Sequence, residues 1–529
     1  MRLLGLQLMF ISSQNSGPHS MARRQDVITI PSLRSFDRTT GRIGQQFTQA
    51  LRDAIEKGDL KPGQRLPSTR VLSVSLGIAR GTVVEAFDQL YAEGYLATRA
   101  RSGTIVANVH EGTPEVASHD VTVDVTAADL PLPANVGRLA AVANALRPQG
   151  PQPFAIAHPA GAVAPDDKWR RLGNRVRALR AAAPSGYIDP KGLLELRLAI
   201  AEYVRKARAV KCTAEQVIIT AGTQQGLFLA ATVLLTSGDS VWAEDPAYPG
   251  IEAVLGNFSI TTCRVPVDGQ GLDVKEGILR CPGARAAFVT PSHQYPLGMP
   301  LSMPRRTSLL SWARDNNAWV VEDDYDSELR YAGYPFPSLQ GLDPSRVVYL
   351  GTMSKMLFSS LRLGYAIVPE RLIDAFAGAR AMIDRHSATP DQHVLASYMR
   401  EGFFEAHVRR IRGVYAERRA ALIEAIKQEF PAWATLQPSD QGMHLLLWLP
   451  LGVDDVKIAD EAGRIGLVVR PISPMFASPP ARSGLMLGFG GFNPVELLAA
   501  ARRLKNVLDA SVGAIPGPLT KPPHLAAEV

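Results

Sequence analysis

The sequence predicts a chain of two unlike parts: a small, mostly helical N-terminal module ending in a β-hairpin, and a larger α/β domain with a mostly parallel sheet. Three observations predict it. The 529 residues are too many for one hydrophobic core. Basic charge is concentrated near the start: Met21 to His110 holds 13 lysines and arginines against 8 acids, while the rest of the chain carries only +2 of the net +7. The apolar pattern also changes, from helical spacing in the first part to short apolar runs that end in polar or small residues in the second.

In the first part, Ile43, Phe47, Ala50, Leu51, Ala54 and Ile55 recur at helical spacing. The segment DLKPGQRLPS then turns through Pro62-Gly63 and Pro67-Ser68, and Ser68 caps a short second helix that ends at Gly77. A third helix opens at Arg80-Gly81-Thr82 and closes at Gly94. YLATRARSGTIVAN reads as two short strands around Ser102-Gly103. Helix, helix–turn–helix and hairpin in that order make a winged helix-turn-helix. Its third helix can meet base edges and phosphates, and its wing carries Arg99 and Arg101 to the neighbouring backbone or minor groove.

This stretch resembles the DNA-binding domain of the GntR family through PGQRLPSTR, the Arg-Gly-Thr-Val opening of the third helix and the EGYL lead into the wing. The resemblance implies DNA contacts from Arg65, Ser68, Arg70, Arg80 and Thr82, with Gly103 at the wing tip. Arg101-Ser102 stands where the family often has Pro-Gly, a change in the wing's shape. The partner so implied is a double-stranded DNA operator.

Residues 111–150 lack a sustained helical pattern before Gly137 and read as a linker. From Gln152 strand-like and helix-like segments alternate. QVIITAG, SVWAEDPAYPG, AAFVTPSHQYPLG, AWVVEDDYDSEL and VVYLGTMSK each start apolar and end polar or small, as buried parallel strands do when their carboxyl ends carry the chemistry.

Lys355 sits just past the last of these strands. An isolated lysine in an apolar stretch ordinarily snorkels to the surface; the alternative is an amine of lowered pKa that attacks an aldehyde. The neighbours favour the second. Asp323 and Tyr325 follow another strand at the same edge, a carboxylate for a protonated ring nitrogen and a phenol for a ring oxygen. Gly222, Thr223 and Gln224 open a helix whose N–H groups can cradle a phosphate, with the Thr352 hydroxyl and the Arg362 cation in support. Tyr248 can stack on a ring. Together these groups ask for a phosphorylated, aldehyde-bearing pyridinium: pyridoxal 5′-phosphate.

The region 151–512 resembles an aminotransferase of fold type I, and EDDYDSELRY, TPSHQYPLG, AGTQQGL and GTMSK…SLRLGY resemble the MocR subfamily, in which such a domain is fused to a GntR winged helix. The resemblance implies that Lys355 forms the Schiff base, Asp323 pairs with the pyridine nitrogen, Tyr325 contacts the ring hydroxyl and Tyr248 stacks. Gly222, Thr223, Gln224, Thr352 and Arg362 surround the phosphate. Tyr187, in GYIDPKGLLELR, matches a tyrosine lent to the partner subunit's phosphate site, which implies a domain-swapped homodimer. There are departures. TPSHQYPLG replaces NPxNPTG, so His293 or Tyr295 stands near the place of an asparagine. Met486 stands where an arginine commonly grips the substrate carboxylate, with Arg470 and Arg482 nearby.

The domains so expected are an extension over residues 1–30, disordered or upstream of a true start at Met21, then a winged helix over 31–110, the linker, the body and a tail over 513–529. Three scattered cysteines exclude a disulfide framework and a cysteine-built zinc site, and no apolar run is long enough to span a membrane; a cytoplasmic protein is expected. The function expected is transcriptional regulation, in which pyridoxal phosphate or its adduct with an amino compound alters operator binding. The alternative is a working aminotransferase with an accessory DNA module. Met486 in place of the arginine, beside an intact recognition helix, favours the first: an effector sensor, not an enzyme.

Overall fold

The computed structural model describes residues 8–11, 25–28, 41–99, 103–107, 132–133, 135–148, 150–156, 158–159, 167–178, 186–333, 336–431, 433–437, 439–480 and 482–512. The chain divides into two units, Met1–Leu130 and Pro131–Val529.

In the first unit, β1 (Leu8–Ile11) and β2 (Gln25–Ile28) pair antiparallel, in a stretch where the sequence predicts no strand. Then come α1 (Ile43–Glu56), α2 (Thr69–Leu76), α3 (Arg80–Ala92), β3 (Leu96–Arg99) and β4 (Gly103–Val106). The helices bury Phe47, Leu51 and Ala54 of α1, Leu72 and Leu76 of α2, and Val83, Ala86, Phe87 and Leu90 of α3 in one core. These positions repeat at three and four residues, the spacing that puts one face of a helix inward. Ser68 caps α2 by accepting from the Val71 N–H, and Gly77 ends it in the left-handed conformation that glycine adopts without strain. The segment before α2 joins the wing, with Leu66 N–H donating to Thr104 O and Val106 N–H to Gln64 O, both at 2.9 Å.

The second unit begins with α4 (Val136–Ala145), α5 (Asp167–Ala178) and α6 (Leu194–Arg208). Strands and helices then alternate: β5 (Val217–Thr220), α7 (Thr223–Leu234), β6 (Ser240–Asp245), α8 (Pro249–Asn257), β7 (Thr261–Asp268), β8 (Gly271–Leu272), α9 (Val274–Arg280), β9 (Ala286–Val289), α10 (Met303–Asp315), β10 (Trp319–Asp324), α11 (Leu339–Leu342), β11 (Val347–Thr352) and β12 (Gly364–Ile367). The helices α12 (Ile373–Asp384), α13 (Pro390–Arg400) and α14 (Phe403–Glu429) lead to a last region of β13 (Thr435–Leu436), β14 (His444–Trp448), α15 (Asp455–Arg464), β15 (Arg470–Pro471), β16 (Gly484–Gly488) and α16 (Pro494–Val512). Because α4 packs against α8, it belongs to the body, and the unit boundary lies ahead of residue 151, where the sequence suggests the body starts.

Two sheets organise this unit. The larger runs β5-β12-β11-β10-β9-β6-β7-β8, with β12 antiparallel to both its neighbours and β6, β7, β9, β10 and β11 mutually parallel. Its strands β5, β9, β11 and β12 are buried throughout, as strands covered on both faces are. The smaller, antiparallel sheet runs β13-β14-β16-β15. The parallel strands end at one edge, which carries Asp245, Asp323, Asp324 and Thr352.

Candidate functional site

At that edge lies a cavity of about 270 Å³. Lys355, Asp323, Tyr325, Tyr248 and Thr223 line it, five residues from four separate segments of the chain. Lys355 lies in the turn after β11 and is half-buried. Burial pushes its amine down to about 8; Asp326 and Asp323 pull it back up, while Arg362 and Arg470 push it further down.

The two adjacent aspartates at the end of β10 do different things. Asp324 accepts from Arg208 Nε at 2.8 Å, Ser327 Oγ at 2.9 Å and Tyr349 OH at 2.5 Å, a bonded set that fixes α6 to the sheet. Asp323 is pushed up to about 7 by burial first and by Asp324 next, with Lys355 opposing. It hydrogen-bonds the Thr223 hydroxyl, but its Oδ1 is buried without a partner. A buried acceptor left unsatisfied is costly, and an N–H on a ligand in the cavity would satisfy it. Tyr325 OH lies 3.1 Å from His293 Nδ1 and 3.1 Å from His293 O, and burial holds its phenol well above the usual range.

The phosphate side is built on α7. Its first N–H groups have no side-chain cap, and Gly222 ahead of them has φ +84°. A Cβ there would stand 3.0 Å from the Arg362 guanidinium, which donates to Ala221 O at 2.7 Å. A Cβ on Gly364 would come within 2.7 Å of Gly222 Cα, so the glycines let the β11–β12 connection close onto the helix end. Thr352 Oγ1 accepts from Ser354 N–H at 3.2 Å. Ser354 Oγ is itself buried and unpartnered. An open helix N-terminus, a cation and the unpartnered Ser354 hydroxyl suit a phosphate, and with the orphan Asp323 oxygen they fit a phosphorylated pyridinium.

One predicted side chain falls elsewhere, and Tyr187, expected to serve a partner subunit, lies at the surface. The Gln224 side chain turns away to donate to Gly250 O at 3.1 Å, leaving only its backbone at the helix start. Tyr187 is 77% exposed, with Arg385 over its ring and His386 against its edge, and does not line the cavity. The structure also separates pairs that the sequence leaves open. His293 meets Tyr325, whereas the Tyr295 hydroxyl accepts from Arg470 at 3.3 Å and its ring packs edge-on to Tyr248 at 5.6 Å. Arg470 lines the cavity; Arg482 instead donates to Leu449 O and lies over Trp448. This corrects the expectation that Met486 leaves the site without an arginine. Met486 is fully buried, and Arg470 is its register partner across β15 and β16, so the cation comes from the adjacent strand. Sequence reasoning missed Asp326, His444 and Arg147, which also line the cavity. Only Asp326 carried a signal, its place beside Tyr325.

In the first unit, Arg65, Arg70 and Arg80 are exposed, and none is paired with a carboxylate among the described residues. Arg80 begins α3, whose N-terminus lacks a side-chain cap. Ser68 is committed as the cap of α2, and Thr82 is half-buried with its methyl against Gly44. Gly103 opens β4 with φ +81° and has the Arg65 guanidinium beside it. Arg101 and the Arg99 side chain lie outside the described residues.

Residues 157–475 match the family model of aminotransferase class I and II, and residues 43–106 match that of bacterial regulatory proteins of the gntR family. The chain is 34% identical to the probable rhizopine catabolism regulatory protein MocR of Rhizobium meliloti, over 89% of this chain and 95% of that one. The chain belongs to the MocR subfamily of GntR-type transcriptional regulators.

A second relative, the HTH-type pyridoxine biosynthesis transcriptional regulator PdxR of Corynebacterium glutamicum, is also 34% identical, over 85% of this chain and 92% of that one. Among solved structures, the α-aminoadipate aminotransferase LysN of Thermus thermophilus superposes with a TM-score of 0.66 at 26% identity, covering 73% of this chain and 98% of its own. The MocR-type chain therefore joins a GntR DNA-binding domain to an aminotransferase-like body of fold type I. Among the described residues no helix is long and apolar enough to cross a membrane.

Proposed function

We propose that this regulator binds pyridoxal 5′-phosphate at Lys355 and that occupancy of the cavity by the coenzyme and an amino compound changes how the winged helices hold operator DNA. One observation carries the reading: an amine of lowered pKa and a buried carboxylate with a free oxygen face the same cavity, beside an uncapped helix N-terminus. When bound, the coenzyme supplies an aldehyde for amines and an electron sink. The residues do the rest. Gly222, Thr223, Thr352 and Arg362 hold the phosphate with the backbone of Gln224, Asp323 accepts from the ring nitrogen, Tyr325 donates to the ring oxygen and Tyr248 covers the ring. Arg470 takes the carboxylate of an amino-acid effector.

On the DNA side, Arg80 and Thr82 at the start of α3 face the major groove. Arg65, Ser68 and Arg70 hold phosphates, and the wing from Arg99 through Arg101 to Gly103 follows the adjacent backbone. A cytoplasmic homodimer, with domains swapped and Tyr187 completing the partner's phosphate site, presents two such helices to a repeated operator. A ligand alters DNA affinity only by binding the two arrangements of that dimer unequally.

The test is operator binding by the full chain at fixed salt, with and without coenzyme and a panel of amines. Affinity that stays the same across every combination, with coenzyme bound, overturns the sensor reading. Arg470 gives the second reading, a working aminotransferase, a specific support. Steady turnover of an amino acid with a 2-oxo acid would establish it, and its absence leaves the aminotransferase-like body as a sensor.

A further inference from the structure

The proposed function gives no task to Asp326, which lines the cavity, or to His293, which contacts it, although both are almost fully buried. His293 follows β9, Asp326 follows β10, and they are 1% and 2% exposed. His293 Nδ1 lies 3.1 and 3.0 Å from the two Asp326 oxygens. A carboxylate oxygen accepts, so the tautomer that bonds Asp326 carries its hydrogen on Nδ1 and donates it. The Tyr325 hydroxyl, 3.1 Å from that nitrogen, is then unable to donate there. Its hydrogen is left for His293 O or for an oxygen of a ligand in the cavity.

The pair is held from outside the large sheet. His293 Nε2 lies 3.3 Å from Ser439 Oγ. Gly442, with φ +82°, backs onto both residues: a Cβ there would collide with His293 Cε1 and come within 2.9 Å of Asp326 Oδ2. Tyr331 OH donates to Gly442 O at 2.6 Å and fixes that turn. Ser439 and Gly442 precede β14, so the two side chains also tie the large sheet's edge to the small sheet. Of the charges acting on Lys355, Asp326 attracts its proton most strongly, Asp323 attracts it less, and Arg362 and Arg470 repel it. His444, whose ring lies 5.2 Å from His293, is pushed down to about 3 by burial and adds no charge at neutral pH.

We propose that Asp326 and His293 act as one positioning unit that favours a proton on the Lys355 nitrogen and leaves the Tyr325 hydroxyl free to donate, so that together they set the pH range over which the coenzyme-loaded cavity takes up an amine. This rests on the proposed binding of coenzyme at Lys355. A negative charge beside the nitrogen favours its protonated form, so removing that charge lowers the pH at which the loaded protein changes colour.

The experiment is a spectrophotometric pH titration of the coenzyme-loaded full chain. Asp326→Asn should lower the midpoint by roughly 1–3 units, the span an opposite charge at close range commonly gives. His293→Ala should lower it too, because a buried carboxylate that loses its donor takes up a proton, and His293→Asn, which can still donate, should restore it. A purely structural role would weaken coenzyme retention without moving the midpoint. Equal midpoints for wild type, His293→Ala and His293→Asn, with coenzyme bound, overturn the inference, and this comparison decides even if Asp326→Asn does not fold. A wild-type protein that stays colourless with added coenzyme overturns the proposed function instead.

Discussion

The two units differ in where their chemistry lies: one carries it on exposed side chains, the other inside a cavity. In the winged helix, Arg65, Arg70 and Arg80 stand in solvent, and the fold beneath them is a small core of Phe47, Leu51, Phe87 and Leu90. In the body, Lys355, Asp323 and Tyr325 line a cavity, and their ionisation is displaced by the groups around them. A polyanion is recognised by solvated charge on a shape that fits its groove, and that charge needs no tuning. A coenzyme that reacts with amines needs groups in particular protonation states, and those states are set by burial and neighbouring charge. The first unit therefore acts through exposed charge, whereas the protonation of the second unit's lysine is set by burial and by Asp326, Asp323, Arg362 and Arg470.

The sharpest way to break this comparison is Lys355→Ala. It should abolish covalent fixation of the coenzyme by borohydride, read as the mass increment of the protein, while leaving basal operator binding without coenzyme intact. Arg470→Ala comes next: it should weaken the spectral response to amino acids by roughly 10–100-fold, the loss of one charged hydrogen-bond partner, whereas Arg482→Ala leaves the response unchanged. Equal effects of the two would remove Arg470 from the effector site.

Arg80→Ala should weaken operator binding by about 1–3 kcal/mol and relax its sequence specificity, with the absorption spectrum unaltered. A spectrum that changed would mean the arginine does more than meet DNA. A smaller effect concerns rate. Because the Lys355 pKa is lowered to about 8, the reactive free amine is abundant above that pH and scarce below it. Coenzyme uptake by the apoprotein should then fall about tenfold per unit below that pH and level off above it, as single-proton titration requires. Uptake that rises steadily toward pH 10.5, the ordinary lysine value, would show that burial does not tune this amine.

Much of the fold was legible because local chemistry dictates it. Ser68 and Gly77 bracket α2 as a cap and a left-handed stop must, and the apolar spacing in α1 is the face it buries. The parallel strands announced themselves as short apolar runs with Asp323, Thr352 and Gly222 at or just past their ends. Arg470 was not legible, because only the pairing of β15 with β16 puts it beside Met486. Nor was Gln224's outward turn, which follows from the nearby Gly250 carbonyl.

By itself the sequence determined a DNA-binding module, an α/β body and the lysine, aspartate and tyrosine of the proposed coenzyme site, since each depends on residue type, spacing and strand ends. Tertiary structure alone decided which of Asp323 and Asp324 keeps a free oxygen, which of Arg470 and Arg482 enters the cavity and that His293, Asp326 and Tyr325 meet. Those outcomes depend on distances between segments far apart in the chain, and no local pattern encodes such distances.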